Sequence, residues 1–263
     1  MTNNAKKPPP YSPSTAFPAL KMGHRSSKIG KNMNELVYQD QYVKLFHGDY
    51  RAVLPSLNVS DFDCVLLDPP FDIWEEVGPG EFEQIPKKII FTNWQHRAVV
   101  ENHFGQPRSE FVWYFKDGRW VSHRLPIQAH ELICIYGETG EAYVGEKNED
   151  RTPQNKGSGS VGRDTYDERI YVPRERKMLR SVLEYPRNLR NGMGAWGKPE
   201  GLIRNLLEFV SPNQVLDTFA GGGSTLVVAK ELKIKAVGIE LEEKNCELAI
   251  SKLEKAPTLF DGG

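Results

Sequence analysis

The distribution of apolar positions divides the chain unevenly. Residues 1–34 carry too few recurring apolar side chains for a packed element, whereas from Tyr42 onward the pattern is dense. Val43-Lys44-Leu45-Phe46-His47 alternates as a half-buried strand does, and residues 50–57 have the spacing of a short amphipathic helix. Cys64-Val65-Leu66-Leu67 is a continuous apolar run, long enough for one fully buried strand, that stops at Asp68-Pro69-Pro70-Phe71. Residues 89–92 predict another buried strand and 95–103 a helix. Residues 111–115 and 131–136 predict two more strands, with the turn-like Lys116-Asp117-Gly118-Arg119 suited to making them neighbours.

The last third reads as a βαβ unit. Pro199 sits where a helix tolerates proline, and Leu202, Ile203, Leu206, Leu207 and Val210 follow at helical spacing, a stripe read as core. Residues 215–219 predict a strand, Gly221-Gly222-Gly223-Ser224 a loop and 225–232 a helix. Residues 236–239 predict a strand ending at Glu240, and 242–253 a final helix. Strand, helix, strand, helix in this order points to α/β architecture with parallel strands. A short strand is also expected over residues 181–185.

Between these patterned regions composition shifts. Residues 137–180 are rich in Gly, Ser, Asn and charge, and from 151 to 180 basic residues outnumber acidic ones, which marks an inserted segment rather than core. Residues 1–34 hold six Lys or Arg and no acid, including Lys6, Lys7 and Arg25, and are expected to be a disordered basic arm. The acidic, Gly/Pro-rich stretch 72–80 is expected to be a mobile loop beside the proline corner. Net charge over all 263 residues is −1, so attraction to a polyanion must come from such local clusters. Cys64, Cys134 and Cys246 lie far apart without metal spacing and read as reduced packing residues; no bound metal is expected. No apolar stretch approaches membrane-span length and no signal-peptide hydrophobic region is seen, so a cytoplasmic protein without membrane association is expected.

Two stretches carry candidate chemistry. At Asp68-Pro69-Pro70-Phe71 the two prolines fix φ, remove two donors and force extended backbone before each of them, making a rigid corner at a strand's C-terminal end. That edge of an open α/β sheet is where ligands bind. The Asp68 carboxylate and Pro69 carbonyl become two fixed acceptors beside the flat Phe71 ring, a pocket suited to a planar group bearing an NH2. The second stretch, Asp217-Thr218-Phe219-Ala220-Gly221-Gly222-Gly223, joins a strand to a helix and allows close approach of a ligand to the backbone. Glu240, ending the next strand, can accept both hydroxyls of a ribose. Leu226 stands where a dinucleotide fingerprint needs its third glycine, and no Gly-Lys-Ser/Thr occurs. A nucleoside cofactor without phosphates, S-adenosylmethionine, fits better than a nucleotide.

In their order along the chain, these motifs resemble those of the beta-class amino-group DNA methyltransferases, in which the catalytic motif precedes the cofactor motif. His47-Gly48-Asp49 is similar to the family's Gly-Asp element beside the cofactor adenine, Phe111-Val112-Trp113 and His130-Glu131 to its central strands, and Lys198-Pro199 to the element contacting the cofactor's methionine part. Thr225 and Gly238-Ile239-Glu240 fit as well, and the likeness spans roughly residues 42 to 255. Phe71 stands for the commoner tyrosine, Thr218 for proline and Ser224 for threonine, while Gly194-Ala195-Trp196-Gly197 replaces the usual polar residues before Lys198.

The resemblance implies a Rossmann-like S-adenosylmethionine-dependent methyltransferase fold with circularly permuted motif order and a small inserted target-recognition segment. It divides the chain into the arm (1–34), a catalytic half (35–136), the insert (137–180) and a cofactor-binding half (181–263). It assigns catalysis to Asp68, Pro69, Pro70 and Phe71, and cofactor binding to Asp49, Lys198, Asp217, Phe219, Gly221, Gly223, Ser224, Thr225 and Glu240. The implied partner is double-stranded DNA, in the setting of restriction-modification, with a homodimer as one assembly the family adopts. The implied reaction is methylation of the N6 amine of a flipped adenine, since Asp68 rather than serine precedes the prolines; N4 of cytosine is the alternative. Protein-glutamine methyltransferases have a similar pocket but the reverse motif order, and a non-catalytic nucleic-acid-binding module has little reason to keep both sites intact.

Overall fold

In chain order the elements are β1 (Glu35–Gln39), β2 (Val43–His47), α1 (Tyr50–Val53), β3 (Cys64–Leu67), β4 (Lys87–Thr92), α2 (Arg97–Phe104), β5 (Ser109–Arg119) and β6 (Gln128–Tyr136). There follow β7 (Tyr143–Val144), β8 (Lys177–Met178), β9 (Val182–Glu184), α3 (Glu200–Val210), β10 (Gln214–Asp217), α4 (Ser224–Glu231), β11 (Lys235–Glu240) and α5 (Glu243–Leu253). These come from a computed structural model that describes residues 34–70, 73–74, 76–119, 123–124, 126–144, 177–187 and 197–256. Phe71, most of the basic arm and residues 145–176 of the insert lie outside the described residues.

Nine strands form one sheet in the order β1-β2-β11-β10-β3-β4-β6-β5-β9. The run β2-β11-β10-β3-β4 is parallel throughout, and β6 joins it antiparallel to β4. The chain leaves β3 toward β4 on one side, and leaves β10 toward β11 on the other. The sheet therefore has its topological switch between β3 and β10, where a crevice opens at the strand C-termini. This is a Rossmann-like α/β fold, with strands from both ends of the sequence interleaved.

The four residues of β3 alternate between two cores: Cys64 and Leu66 join the cluster under α3, α4 and α5, while Val65 and Leu67 join the one containing Val53, Trp74 and Val100. A strand covered on both faces must be apolar at every position, hence the unbroken run. Its register with β10 is fixed at one end by Asp63, whose carboxylate accepts the Asn213 and Gln214 backbone N–H groups at 2.8–3.0 Å. The α3 stripe is buried as its spacing predicts, from Leu202 to Val210. All three cysteines are buried and free.

Several local expectations are revised. The helix at Tyr50 ends at Val53 and gives way to a 3-10 turn over Leu54–Ser56, because Pro55 has no N–H to continue it. Lys116 to Arg119 belongs to β5 rather than to a turn; β5 and β6 do pair as antiparallel neighbours, with an irregularity between Tyr114 and Arg119. Strand β1, unmarked in the sequence reading, pairs antiparallel with β2 at the sheet edge. The two ends of the insert meet as a two-stranded stem, β7 with β8.

The described part of the stretch after the proline corner is anchored at Ile73, Trp74 and Val77. Trp74 and Val77 are fully buried in the second core, and the Ile73 N–H donates to the Pro70 carbonyl at 3.1 Å. Trp74 is thus a packing residue. Gly223 also serves packing: its φ is +78°, and a Cβ there would lie 2.6 Å from that of Ala249 on α5.

Two stability measurements follow from this packing. Trp74→Ala should cost about 3–5 kcal/mol in urea unfolding, as for other buried large-to-small changes; a loop residue free to move would cost almost nothing. Gly223→Ala should lose roughly 1–2 kcal/mol for the left-handed backbone alone, and more as α4 and α5 are forced apart.

Candidate active site

The C-terminal ends of β2, β11, β10 and β3, the N-terminal half of β6 and the middle of β5 open into one cavity of about 590 Å³, within the range of about 300–1,000 Å³ usual for small-molecule sites. Asp68, Pro69 and Pro70 line it together with Phe219, Gly221 and Glu240, so the two motifs face a common space. The cause is strand pairing. Leu66 lies opposite Asp217 in the β3–β10 register, which sets the proline corner and the glycine loop side by side.

At one end the wall is built for a nucleoside. Gly48 follows β2, and its N–H donates to the Glu240 carbonyl at 2.8 Å, tying that turn to the end of β11. A Cβ on Gly48 would collide with Asn34. Asp49 caps α1 by accepting the Arg51 N–H at 2.9 Å, and its carboxylate also pairs with the Arg51 guanidinium at 2.6 Å. The hydrogen bonds from Arg51 hold the Asp49 carboxyl below the usual carboxylate range. Tyr50 and Phe219 pack with ring centroids 5.1 Å apart and form an apolar wall.

Glu240 holds the loop in shape. Its Oε2 accepts the Gly221 N–H at 2.7 Å, while Oε1 accepts from the Glu242 N–H at 2.8 Å and from Asn245 at 3.1 Å. Gly221 has φ of +52° and no atom crowding the position of a Cβ, so its backbone is open to the cavity. Thr218 lines the cavity with a buried hydroxyl that has no protein partner, an orphan that a polar ligand could satisfy.

Asp217, Gly223, Ser224 and Thr225 do not line the cavity. They stand behind the loop. Asp217 is almost wholly buried and accepts the Phe219 N–H at 3.0 Å. Burial pushes its carboxyl up to about 7, against the opposing pull of hydrogen bonds from Thr225 and Phe219. The Ser224 hydroxyl is buried without a partner.

The middle of the cavity holds a compact ionic group. Lys198, just ahead of α3, places Nζ 2.8 Å from Asp68 Oδ2 and 3.2 Å from Glu131 Oε2 on β6. The ammonium also lies 4.8 Å from the Phe91 ring centroid and 5.4 Å from that of Trp113, a cation-π arrangement on both. Burial raises Asp68 to about 6; Lys198 pulls it down and Glu131 pushes it up. Burial works to lower Lys198, but the two carboxylates outweigh it and leave its affinity for the proton raised.

Beyond this group the cavity continues past Trp113, Phe115, Gln128 and Arg187. Arg187 stacks over the Phe115 ring at 4.8 Å. Local sequence did not single out Tyr50, Glu131 or Arg187 as site residues. The one available signal for Glu131 was a charge opening an otherwise apolar strand.

A family model described as a DNA methylase matches residues 84–251, well over half of the chain, and begins after the proline corner. The type II methyltransferase M.ScaI of Streptomyces caespitosus is 22% identical over 293 aligned positions, covering 90% of each chain. Among solved structures, the M1.HpyAVI–SAM complex superposes with a TM-score of 0.56 at 17% identity, over 80% of this chain and 98% of that one. The PvuII DNA methyltransferase, described as cytosine-N4-specific, superposes with 0.55 at 12% identity, over 80% and 86%. With the permuted sheet and the shared cavity, the match over residues 84–251 assigns the chain to the N6/N4 DNA methylases, a family of S-adenosylmethionine-dependent DNA methyltransferases.

Proposed function

We propose that the protein methylates the N6 amine of an adenine flipped out of double-stranded DNA. The observation that carries this reading is that Asp68 and Pro69 share one cavity with Gly221 and Glu240. Bound S-adenosylmethionine supplies a methyl group on a sulfonium, which is electrophilic without further activation. The nucleoside end of the cavity suits it: Glu240 retains lone pairs for ribose hydroxyls, Asp49, Tyr50 and Phe219 flank the space for adenine, and the Thr218 hydroxyl is unpartnered.

An exocyclic amine is a poor nucleophile because its lone pair is delocalised into the ring. Asp68 and the Pro69 carbonyl each accept one of its N–H groups, which localises the pair and aims it along the line of displacement. As the new N–C bond formed, the methyl's bond to sulfur would break with its electron pair left on a neutral thioether, and the amine's proton would leave to Asp68 or to water. The base reaches the corner only when unstacked, and Phe71 is the ring assigned to stack on it. Asp217, Gly223, Ser224 and Thr225 keep the glycine loop in register rather than meeting the ligand directly. The insert on its β7–β8 stem supplies basic residues for phosphates. Asp68 ahead of the prolines favours adenine over cytosine, whose N4 amine has the same two hydrogens.

Expression in a methylation-deficient host, followed by base-resolved analysis of genomic DNA, tests the assignment: N6-methyladenine at a fixed sequence is expected, and N4-methylcytosine alone would replace adenine as the target. Asp68→Ala should lower kcat at least about 10²–10³-fold, the cost typical of removing one pre-organised hydrogen-bonding group, with cofactor affinity within a few-fold of the parent. Asp68 is a strong, charge-assisted acceptor of the amine N–H, and able to take its proton, only when ionised. Since burial holds it near 6, kcat/KM should be level at neutral pH and fall about tenfold per pH unit below about 6; a profile flat to pH 5 would count against Asp68 as acceptor.

A further inference from the structure

We infer that Lys198 and Glu131 are positioning residues for the catalytic carboxylate: the ammonium holds Oδ2 of Asp68 so that Oδ1 alone faces the amine, and Glu131 keeps the ammonium from claiming Asp68 entirely. This deepens the proposed reaction and rests on Asp68 being the amine acceptor. It also departs from the role the resemblance gives Lys198, contact with the cofactor's methionine part.

The geometry is specific. β4 lies between β3 and β6, so Asp68 and Glu131 sit two strands apart, and Lys198 spans the gap over the Phe91 ring. An ammonium has three protons and no acceptor capacity, so two carboxylates within 3.2 Å and two ring faces suit it. Such a buried pair is costly to break, because removing one partner leaves an uncompensated charge. A lysine alone would neutralise Asp68 and weaken it as an acceptor; a second carboxylate on the same ammonium restores negative charge to the oxygen that faces the cavity. Asp68 in turn helps to raise the carboxyl of Asp217 on β10, behind the loop. Glu240 and Arg187 line the cavity farther along it.

The two roles for Lys198 differ in a readout that needs no turnover. Carboxyl carbon-13 NMR of the full chain, with the Asp68 signal assigned by its loss in Asp68→Asn, gives the Asp68 titration midpoint. Lys198→Met removes a positive neighbour and should raise that midpoint by about one unit or more, whereas Glu131→Gln removes a negative one and should lower it by about one unit. Glu131→Asp should return it most of the way to the parent value. In activity assays Glu131→Gln should reduce kcat about tenfold with little change in KM for cofactor, and move the acid limb of the pH profile the same way as the NMR midpoint.

Opposite displacements support the inference, and Glu131→Gln with its conservative partner carries the test alone if Lys198→Met does not fold. An unmoved Asp68 midpoint in Glu131→Gln would overturn it. So would a Lys198→Met protein with an unmoved midpoint and calorimetric cofactor affinity reduced a hundredfold, which is what a cofactor ligand predicts. A parent protein that methylates no DNA would remove the proposed reaction while leaving the titration readable.

Discussion

Parallel pairing of Cys64–Leu66 with Val215–Asp217 is the contact on which the site depends. Neither strand has chemistry of its own, yet their alignment sets the proline corner beside the glycine loop at the sheet's switch point. Both are buried on two faces, so a slip of one residue would exchange the side chains of the two cores. Asp63 guards the register from the other end through its hydrogen bonds to Asn213 and Gln214. A single carboxylate at the start of β3 thus helps fix where another carboxylate, at its end, will stand.

That second carboxylate is maintained at some cost. Taking Asp68 out of water favours its neutral form, and the nearby ammonium only partly reverses this. The outcome is an acceptor ionised at neutral pH but not held far from protonation. A carboxylate paired with lysine alone would be a weaker base, and one left without a partner would be protonated at higher pH. The three-membered arrangement of Asp68, Lys198 and Glu131 lies between these, on rigid strands and a proline-locked turn.

Around the glycine loop, labour is divided differently from what a motif suggests. Gly221 has the left-handed backbone and open space that ligand approach requires, while Gly223 has the same handedness for the sake of helix packing. Glu240 shapes the loop through the Gly221 N–H while still facing the cavity. Residues adjacent in sequence therefore split between wall and scaffold.

Much of the fold was legible in the sequence because it is written in local periodicity. The run at Cys64–Leu67, the stripe from Leu202 to Val210 and the βαβ unit ending at Glu240 are each set by which faces must be buried. The two motif ends were legible too, since prolines and glycines restrict the backbone wherever they occur. Other features have no local signature. β1 gained its place through pairing with β2, Lys116 to Arg119 was drawn into β5 by cross-strand bonds despite turn-like residues, and Trp74 was captured by a core that its acidic neighbours did not advertise. The partnership of Asp68, Lys198 and Glu131 is the clearest case: three charges from three separate regions meet only because β3, β4 and β6 are sheet neighbours. Periodicity reports which side of an element is dry; which distant element supplies the dryness, and which charges are trapped there together, is decided by the folded chain alone.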